Sequence, residues 1–135
     1  MGAWLRPIPQ YHPPAPPTYT SQQIADAKAK VCAAYGMVSR AIAATSSRDK
    51  GSDYTTQLAS AVNARQALLA GSSYLSTTLE NEPATPPDLV REVHKLSNAY
   101  QQLAIKLLGD SPEADINSSV HSGDEATTTV EGLCK

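Results

Sequence analysis

"PDLVREVHKLSNAYQQLAIKLLG", residues 87–109, carries the plainest apolar stripe in the chain. Leu89, Val93, Leu96, Tyr100, Leu103 and Leu107 follow one another at spacings of 4, 3, 4, 3 and 4. An α-helix puts such positions on one face, and a heptad-like seam of this kind suits antiparallel packing at about 20°. Pro87 and Asp88 fit the first turn, where a missing N–H costs nothing and a carboxylate meets the positive end of the helix dipole. Gly109 fits the C′ stop. A helix with one apolar face needs partners, so the fold turns on what flanks this stretch.

Two more helices precede it. Thr20 followed by Gln23 has the form of a capping box, with Asp26 well placed in the early turns. Ile24, Ala27, Val31, Ala34 or Tyr35, Val38 and Ile42 then recur at spacings of three and four until the polar stretch "ATSSRDKGSD". Ser52 or Asp53 caps the next helix. Its apolar positions are Tyr54, Leu58, Ala61, Val62, Leu68, Leu69, Leu75 and Leu79, with Arg65 and Ser72 as polar interruptions. "ENEPATPPD" ends it, because three prolines in so short a space cannot continue a helix.

After Gly109 the pattern weakens. Pro112 looks like a helix start, and Ile116, Val120, Thr127, Val130 and Leu133 keep a helical spacing. Gly123 and a Ser/Thr-rich composition predict either one broken helix or two short ones. Three strong helices and a weaker or broken fourth predict an all-α, antiparallel four-helix bundle over residues 20–135. Leu96, Tyr100 and Leu103 are expected at its centre, facing Leu58, Val62 and Leu68 or Leu69.

Residues 1–19 read differently. They hold six of the ten prolines, which predicts an extended, semi-rigid arm rather than part of the core. "PPAPP" could alternatively serve as bait for a module that reads polyproline II. A lone Trp4 is the residue able to dock part of the arm on the bundle or on another molecule. Few aromatics, no Phe and many alanines favour closely packed helices over a β-sandwich.

Cys32 lies inside the first helix, on the flank of its stripe, and Cys134 follows the last apolar residue. In an up-down-up-down bundle the fourth helix ends beside the start of the first, so the topology brings the two thiols within bonding reach. An even pair with none spare suits an oxidising compartment. The alternative is a small buried apolar residue at 32 and a tail thiol at 134. The bond is the favoured reading. It would close a loop of about 100 residues and contribute on the order of 4–5 kcal/mol in the chain-entropy model.

The run "PPTYTSQQIADAKAKVCAAYGMV", residues 16–38, resembles the start of the extracytoplasmic part of small Ala/Pro-rich, membrane-anchored actinobacterial proteins, mycobacterial ones in particular. In those, a Pro/Ala-rich stretch leads into "YT" and then an Ala-rich helix with "AK…C…Y". The matching residues here are Tyr19, Thr20, Ala27, Lys28, Cys32 and Tyr35. The resemblance implies a position outside the cell membrane and an anchor upstream of residue 1. It implies no activity and no catalytic residues.

Composition and motifs restrict function further. Eleven basic against 13 acidic residues, a formal charge of −2, are too balanced to capture nucleic acid or an anionic membrane by charge. No run of about 20 apolar residues offers a membrane span, and "MGAWLRPIPQ" is too short and too broken by proline to be a signal peptide. His12, His94 and His121 stand far apart, without the i, i+4 spacing of a helical metal site. His121 with Asp124 and Glu125 offers at most a weak cation site in a solvated loop. CxxC, HExxH, GxSxG, GxGxxG and GxxxxGK[ST] do not occur. Glu80, Glu82 and Asp88 read as helix-end charges rather than an acid/base pair.

The expectation is therefore a non-enzymatic, cofactor-free interaction or scaffold domain, partnered by another cell-envelope protein. The alternative is a carrier that holds a small apolar or lipid-like ligand between helices the fourth segment does not fully cover.

Overall fold

The computed structural model describes residues 17–47 and 53–135. Most of the Pro-rich arm, with Trp4 and His12, and the alternative cap Ser52 lie outside those residues. Pro17 to Thr20 have no regular structure. Four helices follow: α1 (Ser21–Ser47), α2 (Tyr54–Asn81), α3 (Pro87–Leu108) and α4 (Glu113–Leu133). Among the described residues there is no strand.

Their ends are set by local chemistry. Thr20 and Gln23 form the reciprocal capping box: the Thr20 N–H donates to Gln23 Oε1 at 2.8 Å and the Gln23 N–H to Thr20 Oγ1 at 3.1 Å. Asp53 caps α2, its carboxylate accepting the Thr56 N–H at 3.1 Å. That hydrogen bond holds the Asp53 carboxyl below its usual range. Pro87 opens α3. Gly109 is not the left-handed residue after α3. It has φ −93°, and Asp110 takes the positive φ of 49° instead. The Ser111 N–H then reaches the Lys106 carbonyl at 3.0 Å, closing the last turn. Aspartate is one of the few side chains that accept this conformation.

Residue pairs across the seams establish the antiparallel order. Between α1 and α2, Lys30 pairs with Glu82 at 3.4 Å, while Gly71 lies against Val38. Between α2 and α3, Ser72 bonds Ser97 and Arg65 donates to the Leu107 carbonyl at 3.4 Å. Between α3 and α4, Lys106 donates to Ser119 Oγ at 2.7 Å and Gly123 lies over Ala99. Between α1 and α4, Cys32 is bonded to Cys134 and Tyr35 donates to Glu131 at 2.8 Å. This is the expected all-α, four-helix bundle.

The core sits toward the disulfide end. Val31, Leu75, Leu89, Val93, Leu96 and Val130 have almost no exposed surface, with Tyr35 and Val38 packed among them. Leu68 and Leu96 are buried as expected, but Tyr100 and Leu103 are only partly buried. Leu58 and Val62 depart from expectation: they are 47% and 40% exposed. Register is the reason. Arg65 already stands beside the penultimate residue of α3, so the 11 residues of α2 from Tyr54 to Ala64 run on for about 16 Å with no α3 beside them. Periodicity put Leu58 and Val62 on the apolar face, but α3 ends before that part of it, and the end of α1 lies against Ala61 and Ala64 instead.

The fourth helix is also stronger than its composition suggests. It is continuous from Glu113 to Leu133, and His121 lies within it rather than in a loop. Gly123 is buried rather than a break, and a Cβ there would lie 3.8 Å from that of Ala99, an ordinary contact distance. Ser122, Thr128 and Thr129 return their hydroxyls to the carbonyls of Ser118, Asp124 and Glu125, at 3.0–3.1 Å.

Candidate functional site

The chain's chemistry is concentrated along the seam between α1 and α4, which is joined at one end and open at the other. At the joined end, Cys32 and Cys134 have Cα atoms 5.7 Å apart and form the disulfide, and the described residues contain no free cysteine. One turn into the bundle, the Tyr35 phenol donates to Glu131. Burial first, and then this hydrogen bond to a carboxylate, push the Tyr35 pKa up to about 12. A hydrogen bond from Ser39 acts in the opposite sense. Covalent bond and phenol–carboxylate contact together tie the end of α4 to the first half of α1.

Beyond that tie the two helices leave a cleft of about 390 Å³. Its floor is Leu68 of α2 with Tyr100 and Leu103 of α3, and its walls are Ile42 of α1 and Val120 of α4. The end nearest the tie is polar. Ser39, Thr127 and Asp124 line it, Thr127 is hydrogen-bonded to Tyr100, and the Asp124 charge bears on the same phenol. Burial, with Asp124 adding to it, raises the Tyr100 pKa. Arg40, which follows Ser39, folds back over Gly36, where its Nη1 would stand 3.4 Å from an added Cβ. Asp124 is thus the one charged residue among those that line the cleft.

A second concavity, about 780 Å³, runs along the outer face of α3 and α4. It is lined by polar side chains, among them Glu92, Lys95, Gln102, Glu125 and Thr128, and it lies open to solvent. Glu92 is buried but paired, with Lys95 at 3.3 Å and Arg91 at 3.6 Å.

The residues singled out by sequence end in different places, Leu96 at the centre of the core. Cys32 and Cys134 come together as a bond. Leu68, Tyr100 and Leu103 meet, but as the floor of the cleft. Leu58 and Val62 stand away, on an exposed stripe of α2 that also includes Tyr54. His94 is exposed, and His121 pairs only with Glu125, at 3.0 Å on the surface. Among the described residues no group of three or more His, Cys, Asp or Glu is placed to hold a metal ion. No described helix is long and apolar enough to cross a membrane.

Sequence reasoning missed the polar core contact between α2 and α3. Ser72 and Ser97 are both buried and their hydroxyls lie 2.9 Å apart. Ser76 adds a third hydroxyl, 3.0 Å from Ser97. A serine set into an apolar stripe was the signal available, and Ser72 was visible there only as an interruption. Compared with protein-family profiles, curated proteins and solved structures, the chain finds no match.

Proposed function

We propose that this chain is a non-enzymatic interaction domain working outside the cytoplasm, held at the cell membrane by an upstream segment and offered by its Pro-rich arm to another envelope protein. The observation that carries this reading is the Cys32–Cys134 bond. Cytosolic thiol pools keep such pairs reduced, so a domain that depends on one belongs to an oxidising compartment. The exposed stripe Tyr54, Leu58 and Val62 on the overhang of α2 supports the interaction part, since large apolar side chains grouped at one end mark contact surfaces. Likeness to membrane-anchored actinobacterial proteins rests on residues 16–38 alone.

Thiol trapping in intact cells tests the compartment. Cys32 and Cys134 resistant to alkylation until reductant is added support it, and labelling of both without reductant contradicts it. A photo-crosslinker at Leu58 tests the surface. It should capture a discrete envelope partner where the same crosslinker at Gln22, on exposed α1, does not.

A second reading is favoured by a separate observation. The α1–α4 cleft is floored by partly apolar core side chains and lies where the fourth helix leaves the bundle uncovered, as a carrier of a small apolar ligand would require.

A further inference from the structure

Resting on the carrier reading of the cleft, we propose that it takes a small cationic amphiphile: an alkyl or aryl body on the Leu68–Leu103 floor, with a protonated amine at the Asp124 end. Three features of the site select this class. Its volume of about 390 Å³ lies in the range of small-molecule sites and is ample for a body of eight or so carbons. The lining sets an apolar strip of Ile42, Leu68, Leu103 and Val120 between polar side chains at its two ends, Ser39, Thr127 and Asp124 toward the tie and Ser46 and Ser119 away from it. An amphiphile with a short apolar body matches that strip, and the charge at Asp124 selects which end takes its head.

Charge decides the nature of the head. Asp124 is the charged side chain of the lining, and α4 as a whole carries Glu113, Asp115, Asp124, Glu125 and Glu131 with no Lys or Arg. Of the nearest bases, Arg40 lies over Gly36, and Lys106 sits at the far end, engaged by the Asp115 carbonyl and the Ser119 hydroxyl. At the Asp124 end a carboxylate head would meet like charge with no cation among the lining residues, which costs both Coulomb energy and desolvation. An ammonium head would meet a carboxylate, with the hydroxyls of Ser39 and Thr127 as further acceptors.

Three probes of equal chain length separate the claims: octylammonium, octanol and octanoate, titrated into the oxidised full chain and followed by amide chemical shifts. Octylammonium should shift amides around Ala43, Leu103 and Asp124 saturably, and octanoate should not. Ala43→Trp, at an exposed wall position, should abolish those shifts and leave the helical spectrum intact. Asp124→Asn should weaken octylammonium about two- to fivefold, the size of an exposed ion pair, without changing octanol. Octanoate binding as well as octylammonium, or an Asp124→Asn variant that binds octylammonium unchanged, would overturn the cationic assignment while leaving the carrier reading in place. Absence of cleft shifts with both octanol and octylammonium would overturn the two together.

Discussion

Ser72 of α2 and Ser97 of α3 bond each other through side chain and backbone at once. Their hydroxyls lie 2.9 Å apart, Ser72 Oγ reaches the Ser97 carbonyl at 3.0 Å, and Ser97 Oγ reaches the Ser72 carbonyl at 3.1 Å. Such contact requires the two backbones to approach closely, and it fixes which residues face each other along the whole α2–α3 seam. Leu75 and Leu79 are thereby set beside Leu96, Val93 and Leu89, while Leu58 is carried past the end of α3. Ser97→Ala leaves Ser76 without its 3.0 Å partner and removes one of the two crossed bonds. It should cost about 1–2 kcal/mol in urea denaturation, the range for buried hydrogen bonds. A cost near zero would mean that apolar packing alone sets the register.

The same register makes two leucines unequal. Leu96→Ala opens a cavity at the centre and should cost about 2–5 kcal/mol. Leu58→Ala removes a side chain that is nearly half exposed, and should cost less than about 1 kcal/mol. Equal costs would place Leu58 in a core.

Gly71 gives a prediction whose sign opposes helix propensity. In an exposed helix Gly→Ala stabilises by about 1 kcal/mol. Here the new Cβ would lie 2.6 Å from Val38 Cγ1, and valine is stiff at χ1. Overpacking of this kind costs about 1–3 kcal/mol, so Gly71→Ala should destabilise overall. Adding Val38→Ala should relieve the clash, so the pair costs less than the sum of its single changes. Strict additivity would contradict the close approach of α1 and α2.

How much of this was legible follows from what each signal encodes. Apolar spacing is local, so it delivered four helices, and the Thr20–Gln23 cap was readable because both partners lie within one turn. The cysteine pairing was readable from topology, since alternating helix directions bring the two ends together. Register was not. It depends on Ser72 meeting Ser97 and Gly71 meeting Val38, small residues whose meaning exists only opposite a partner. Leu58 and Val62 show the consequence, for spacing tells which face is apolar and not whether a neighbour reaches it. Gly123 misled because helix propensity is local: weak as a helix former, it is nonetheless buried inside a continuous α4 opposite Ala99, where tertiary packing outweighs it. The cleft followed from the missing contact between α1 and α4 beyond Tyr35, which no periodicity records.

Tyr35 yields a pH dependence. Its pKa is raised from 10.0 to about 12 in the folded chain, so the folded state keeps the proton longer than the unfolded one does. The associated stability is fully present below about pH 10 and is lost as pH rises from there through about 12. Tyr35→Phe removes both the donor and this titration. The stability difference between wild type and Tyr35→Phe should be steady at neutral pH and shrink across that alkaline window. A difference that stays constant to about pH 12 would show that Tyr35 is not held by Glu131 and its buried surroundings.

The Cys32–Cys134 bond closes a loop across nearly the whole domain, with a sequence separation of 102. The segment it holds most directly is α4, whose buried residues are Ser119, Gly123, Ala126 and Val130. Such small side chains bury little apolar area, so α4 depends on the bond more than the other helices do. The decisive measurement is amide hydrogen exchange on the full chain with and without reductant, after the intact mass of protein purified without reductant has been recorded. The account predicts a mass two hydrogens below that of the dithiol. On reduction, it predicts that protection is lost first across residues 113–133 while α1 to α3 remain protected. Two free thiols in the unreduced protein, or an even loss of protection over all four helices, would contradict it.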